Sequence, residues 1–222
     1  MLDRVTYGLS AEAAGDASIA PFAHSLEYPG GRADIWLTRL SEPARDLSPA
    51  RAALAHRLVA WRAHCEESGV ALAHDADGAP RLVAPDVALA LSLAGRGDIV
   101  AAAVADGPVG VDIETIGEAF SPPLNVLHPA ERAALAAASD AHGLFLRIWT
   151  AKEAYLKALG TGLLREPAGI EVRLAASDAT FAECPAFDIV DRGRRVATRL
   201  ARAGRTDLAP APVVLACVVL ER

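Results

Sequence analysis

Hydrophobic and polar positions change their period several times along the chain, and each change marks an element. "ADIWLTRL", from Ala33, alternates apolar and polar residues and predicts a strand. "ARAALAHRLVAWRAHCEESG" has helical spacing; Ser48 is placed to cap it, Pro49 suits its first turn and Gly69 ends it. "DVALALSLA" and "DIVAAAVA" predict two strands joined by the glycine-bearing "GRG". In "GPVGVDIE", Val109, Val111 and Ile113 alternate with Gly110, Asp112 and Glu114. "HPAERAALAAASDA" and "LFLRIWTAKEAYLKALG" predict two further helices, the second closed by Gly160 or Gly162. "GIEVRLAA", "AFDIVDRG", "RVATRLAR" and "PVVLACVVL" predict strands of one closing sheet. Residues 1 to 30 read as irregular, with "YPGG" as a turn; "SEPARDLSP" reads as a loop and "DADGAP" as a turn.

Strands and helices are segregated, which predicts an α+β fold rather than a wound parallel sheet. The pattern divides at "DGP" into residues 1–106 and 107–222, each with strands and helices of its own. No sequence repeat links the two, so any internal symmetry is one of shape.

Composition changes this picture little. With 222 residues, 52% of them hydrophobic and 23% charged, the chain can bury a core. A net charge of −6 argues against a general nucleic-acid binder, which needs a basic footprint. Cys65, Cys184 and Cys217 are scattered and form no C-x-x-C pair, which fits a reducing compartment, the cytoplasm. The start of the chain carries early acids and no signal-peptide core, and no stretch reaches the length of a membrane span.

The candidate chemistry lies in two stretches. On a strand, Asp112 and Glu114 project to the same side. Two adjacent carboxylates repel each other, and a hard cation such as Mg²⁺ relieves that repulsion; the plain alternative is a solvated strand face. On a helix, Glu153 and Lys157 stand one turn apart and share a face. They are either an ordinary surface ion pair or a third metal carboxylate with a phosphate-binding lysine. Trp149 walls a pocket or fills a core, and Lys152 points elsewhere, to the surface or to a phosphate. His128 falls at a helix start, and Glu131 reads as favourable charge in the first turn. No Walker, dinucleotide, zincin or nucleophile-elbow motif is present.

"VGVDIE", followed some forty residues later by "WTAKEAYLKALGTGL", resembles the 4′-phosphopantetheinyl transferases of the larger, single-chain Sfp type. The resemblance is specific from 109 to 164 and weaker upstream to about residue 33. It implies two α+β halves related by a pseudo-twofold axis, each a small antiparallel sheet packed with helices, with coenzyme A in the cleft between them. It implies that Asp112, Glu114 and Glu153 hold Mg²⁺ against the coenzyme A pyrophosphate. Glu153 would take the proton of a carrier-protein serine, and Lys157 would steady the leaving group. Ser92, Lys152, Lys157 and Arg57 would contact the cofactor. The implied partner is an apo acyl or peptidyl carrier protein, met by a monomer, with no nucleic acid and no membrane.

The chain departs from the family's pattern where the cofactor's 3′-phosphate should sit. Leu93 replaces the usual histidine after Ser92, and Ala79 replaces the usual lysine of a Gly-Lys-Pro turn. Each lost charge-assisted contact costs about 1.5–3 kcal/mol unless another residue supplies it, and Arg96 is one candidate. A binding protein on the same fold, without transfer, is therefore the second reading, and a Mg²⁺-dependent nucleotide hydrolase the third.

Overall fold

The computed structural model describes residues 22–42, 44–76, 78–117, 123–175, 180–208 and 210–221. Twelve strands and three α-helices follow one another in the described residues. β1 (Phe22–Tyr28), β2 (Gly31–Arg39), β5 (Ala90–Arg96) and β6 (Ile99–Ala105) form an antiparallel sheet in the order β1-β2-β6-β5. β7 (Val109–Thr115), β11 (Thr198–Thr206) and β12 (Val213–Leu220) form a second antiparallel sheet, ordered β11-β12-β7. β3 (Ala71–His74) and β4 (Pro80–Ala84) are a small hairpin, and β8 (Ile170–Arg173), β9 (Asp188–Asp191) and β10 (Arg194–Arg195) a third small sheet.

The two larger sheets pack face to face. Ala33, Ile35, Leu37, Ala101 and Ala103 of the first meet Val111, Ile113, Leu215 and Cys217 of the second in one apolar cluster. The opposite face of the first sheet, with Trp36, Val100 and Val104, is covered by Leu54, Leu58 and Val59 of α1 (Ser48–Ala63). The opposite face of the second, with Val214, Ala216 and Val218, is covered by Ala151, Ala154 and Tyr155 of α3 (Ala141–Ala158). α2 (Pro129–Ala137) leans on α3 and β8. The order of layers is helix, sheet, sheet, helix. β6 and β12 are covered on both faces, which is why they read as unbroken apolar runs.

Several sequence expectations change. Phe22–Tyr28, read as irregular, is a strand in full register with β2, and residues 1–21 lie outside the described residues. A buried histidine hid its pattern: His24 lies edge-on to Phe181 at 4.9 Å, and burial lowers its pKa to about 4, so it is neutral at pH 7. "DADGAP" closes a hairpin whose two strands were not expected. α1 ends at Ala63 with His64 left-handed, and Gly69 instead ends a separate 3₁₀ turn. Ser48 does not cap α1; its hydroxyl accepts a bond from Arg51, while its own amide donates to Asp46. The strands after residue 169 are divided between two sheets rather than joined in one. No helix among the described residues is long and apolar enough to cross a membrane.

Candidate functional site at the seam between two sheets

Strand alternation sets the site's first two acids. Val109, Val111 and Ile113 face the sheet interface, so Gly110, Asp112 and Glu114 face α3. Gly110 makes the approach possible. A Cβ there would lie 1.8 Å from the carbonyl oxygen of Ala154 and 2.6 Å from the amide nitrogen of Ala158, both backbone atoms of α3. No other residue type lets the strand sit this close to the helix. Glu153 and Lys157, one turn apart on α3, are thereby brought over Asp112.

Lys157 Nζ donates to Asp112 Oδ1 at 2.7 Å and to the Val111 carbonyl oxygen at 3.1 Å. Its side chain is 27% exposed. Asp112 is buried, and its second oxygen, Oδ2, has no hydrogen-bond partner. Burial raises the Asp112 pKa, with Lys157 opposing the shift. Burial also raises that of Glu114, with Arg96 opposing and Asp112 adding to it. Glu153 is raised by burial and then by the charges of Asp112 and Glu114, against the pull of Lys157. The three carboxyls therefore feel one another.

The first sheet supplies a second cation. Arg96 ends β5, where the chain turns through Gly97 in the left-handed region at φ +62°. Its Nε lies 3.0 Å from Glu114 Oε2, and its side chain is 61% exposed. The Trp149 side chain also favours the charged form of Glu114. Neither contact to Glu114 was read from the sequence. Arg96 lies some eighteen residues before Glu114 and on the other sheet, so only the packing of the two sheets brings them together.

Two of the expected cofactor contacts do not face this site. Lys152 is 0% exposed. Its Nζ lies 2.6 Å from Glu131 Oε2 and donates to the carbonyl oxygens of Val126 and Pro167 at 3.0 and 2.9 Å. Three acceptors use its three protons, so it is a structural strut and not a phosphate contact. Glu131, read as helix-start charge, does accept from the His128 amide in a capping box, but its other oxygen accepts from the Val172 amide. Ser92 is also buried; its hydroxyl accepts from the Val111 amide at 3.0 Å and ties β5 to β7. That bond aligns the seam instead of presenting a hydroxyl to a ligand. Arg57 lies on α1 with its Nε 3.9 Å from Glu67. Leu93 packs toward the α1 core, and Ala79 closes the β3–β4 turn through Asp75. A groove runs along α2, α3 and β8, lined by none of the clustered acids.

Among the described residues, no three acids, histidines or cysteines form a ready metal cage. The arrangement still fits a hard cation. Its donors are carboxylate oxygens, one of them buried and unpartnered, and Mg²⁺ takes one or two carboxylates with the remainder from substrate phosphate and water. An open, incompletely formed site is what that chemistry requires.

No curated protein matches the chain. Residues 108–203 match the family model of the 4′-phosphopantetheinyl transferase superfamily. This segment begins one residue before β7 and includes Asp112, Glu114, Glu153 and Lys157. Over this segment, which gathers the acids and lysine of the two motifs at one seam, the chain is similar to the 4′-phosphopantetheinyl transferase superfamily.

Proposed function

We propose that the chain transfers the 4′-phosphopantetheine arm of coenzyme A to a serine of an apo acyl or peptidyl carrier protein, in a Mg²⁺-dependent reaction. The observation that carries this reading is the unpartnered Asp112 Oδ2 between a lysine and two further acids. A purely structural ion pair has no use for a buried carboxylate oxygen left without a donor.

Asp112, Glu114 and Glu153 would hold the cation, which when bound neutralises charge on the pyrophosphate. Glu153 acts as general base. The carrier serine oxygen forms a bond to the β-phosphorus of coenzyme A. The bond from that phosphorus to the bridging oxygen breaks, and adenosine 3′,5′-bisphosphate leaves with that oxygen. The serine proton passes to Glu153 and then to solvent. Lys157 and Arg96 are the cations close enough to meet the growing charge on the phosphate oxygens. We further propose that the division near residues 106–108 separates two halves of one monomer. Its place is the cytoplasm, where the three free thiols stay reduced.

Intact-mass spectrometry of apo carrier proteins, incubated with the protein, coenzyme A and Mg²⁺, tests the reading. The expected result is a gain of one phosphopantetheine arm, lost in Glu153→Gln and without metal. Coenzyme A binding with no gain on any carrier would favour the second reading, a binding protein, which the replacements at Leu93 and Ala79 motivate.

A further inference from the structure

The acid cluster is neutralised from within. Three carboxylates face two cations, so Asp112, Glu114 and Glu153 with Lys157 and Arg96 leave one net negative charge. Each cation holds a different acid: Lys157 on Asp112 at 2.7 Å and Arg96 on Glu114 at 3.0 Å. Both are free to let go. Arg96 is 61% exposed at the tip of a hairpin, so its head can reach solvent without disturbing the core. Lys157 also donates to the Val111 carbonyl oxygen at 3.1 Å, an acceptor that does not depend on Asp112. A divalent cation added to this arrangement would bring the local charge to one net positive, which repels Lys157 and Arg96 and favours an anion.

We propose that Lys157 and Arg96 are exchangeable counterions. They occupy Asp112 and Glu114 in the free protein. They move to the phosphate oxygens of the substrate when a divalent cation is bound, so that cation and phosphate strengthen each other's binding. The inference rests on the reading of Asp112, Glu114 and Glu153 as the cation's ligands. It assigns Arg96, on the first sheet, a phosphate contact of its own. With the acids already paired, either ligand alone binds weakly.

Binding of Mn²⁺ followed by electron paramagnetic resonance, with no phosphate present, separates this role from others. Removing an internal competitor makes Arg96→Gln bind Mn²⁺ about fivefold tighter than the wild type. A residue that serves only to receive phosphate, or only to stabilise the fold, would leave that affinity unchanged or lower it. Arg51→Gln removes the same charge from a residue that pairs with none of the acids, and its Mn²⁺ affinity is expected to stay within about twofold of the wild type. Calorimetry with coenzyme A in the presence of Mn²⁺ gives the other half, an affinity about tenfold weaker in Arg96→Gln. Lys157→Gln, checked for folding by circular dichroism, is expected to move both affinities in the same directions. Unchanged or weaker Mn²⁺ binding in both variants, with coenzyme A still bound by the wild type, would overturn the exchange and leave the transferase reading standing. Coenzyme A binding absent from the wild type would overturn the transferase reading and the phosphate half of the exchange together.

Discussion

Two lysines five residues apart on α3 each hold an acid, and they do so in opposite ways. Lys152 is sealed in the core. Glu131 and two carbonyl oxygens use all its protons, and the Glu131 oxygens are filled in turn by the His128 and Val172 amides. Lys157 sits at the seam between the sheets, partly exposed, on an aspartate whose other oxygen has no donor. A closed network holds α3, α2 and β8 in one arrangement. An open one is poised for something that is not protein. The lesson is that burial of a charged pair does not by itself say what the pair is for; the count of unsatisfied atoms around it does.

The largest way to break this comparison is to remove the closed pair. Lys152→Met strands a buried carboxylate and two buried carbonyls, and is expected to cost about 3–5 kcal/mol of stability by chemical denaturation. Gly110→Ala acts on the open pair's setting by driving a methyl group into the α3 backbone. A loss of about 3 kcal/mol is expected, with cation affinity falling alongside, because β7 and α3 cannot both stay in place.

Asp112→Asn sharpens the contrast because its sign is opposite. It removes a desolvated carboxylate and is expected to raise stability by about 0.5–2 kcal/mol while abolishing transfer. The pH dependence follows from the raised Asp112 pKa. The folded state keeps a proton that the unfolded state releases near pH 3.8, so the carboxyl destabilises the fold progressively as pH rises from there through the folded pKa. The advantage of Asp112→Asn, measured in chelator, is therefore small below pH 3.8 and grows as pH rises. The smallest effect is that of Trp149→Phe. It keeps a ring but loses the indole N–H that favours the charged form of Glu114, and is expected to lower cation affinity about tenfold. Its stability should change by about 1 kcal/mol or less.

What could be read from the sequence followed from local periodicity. Alternation along "VGVDIE" placed Asp112 and Glu114 on one face, and helical spacing placed Glu153 beside Lys157. The tight fit of Gly110 under α3 explains why glycine stands in that motif, but it becomes visible only once strand and helix are packed. Lys152 was misread because a lysine in a helix ordinarily ends in water, and its partner lies twenty-one residues upstream on a different helix. Ser92 was misread for a related reason. Its hydroxyl is spent on β7, an element that only the meeting of two sheet edges brings near. Arg96 was considered as a phosphate contact, but its bond to Glu114 depends on the same meeting. Contacts within one element were legible, and contacts across the seam were not.

The most direct test compares the two lysines in one experiment: thermal unfolding of Lys152→Met and Lys157→Met, each with and without Mg²⁺ plus coenzyme A. Lys152→Met should melt well below the wild type in either condition and still gain stability from the ligands. Lys157→Met leaves the buried Asp112 without its cation, so it should melt below the wild type without ligands. The drop should be clearly less than in Lys152→Met, because only one buried acceptor is stranded, and most of the ligand-induced gain should be lost. A Lys157→Met protein that is as unstable as Lys152→Met, or that keeps the full gain, would contradict the division of the two lysines into a strut and a working group.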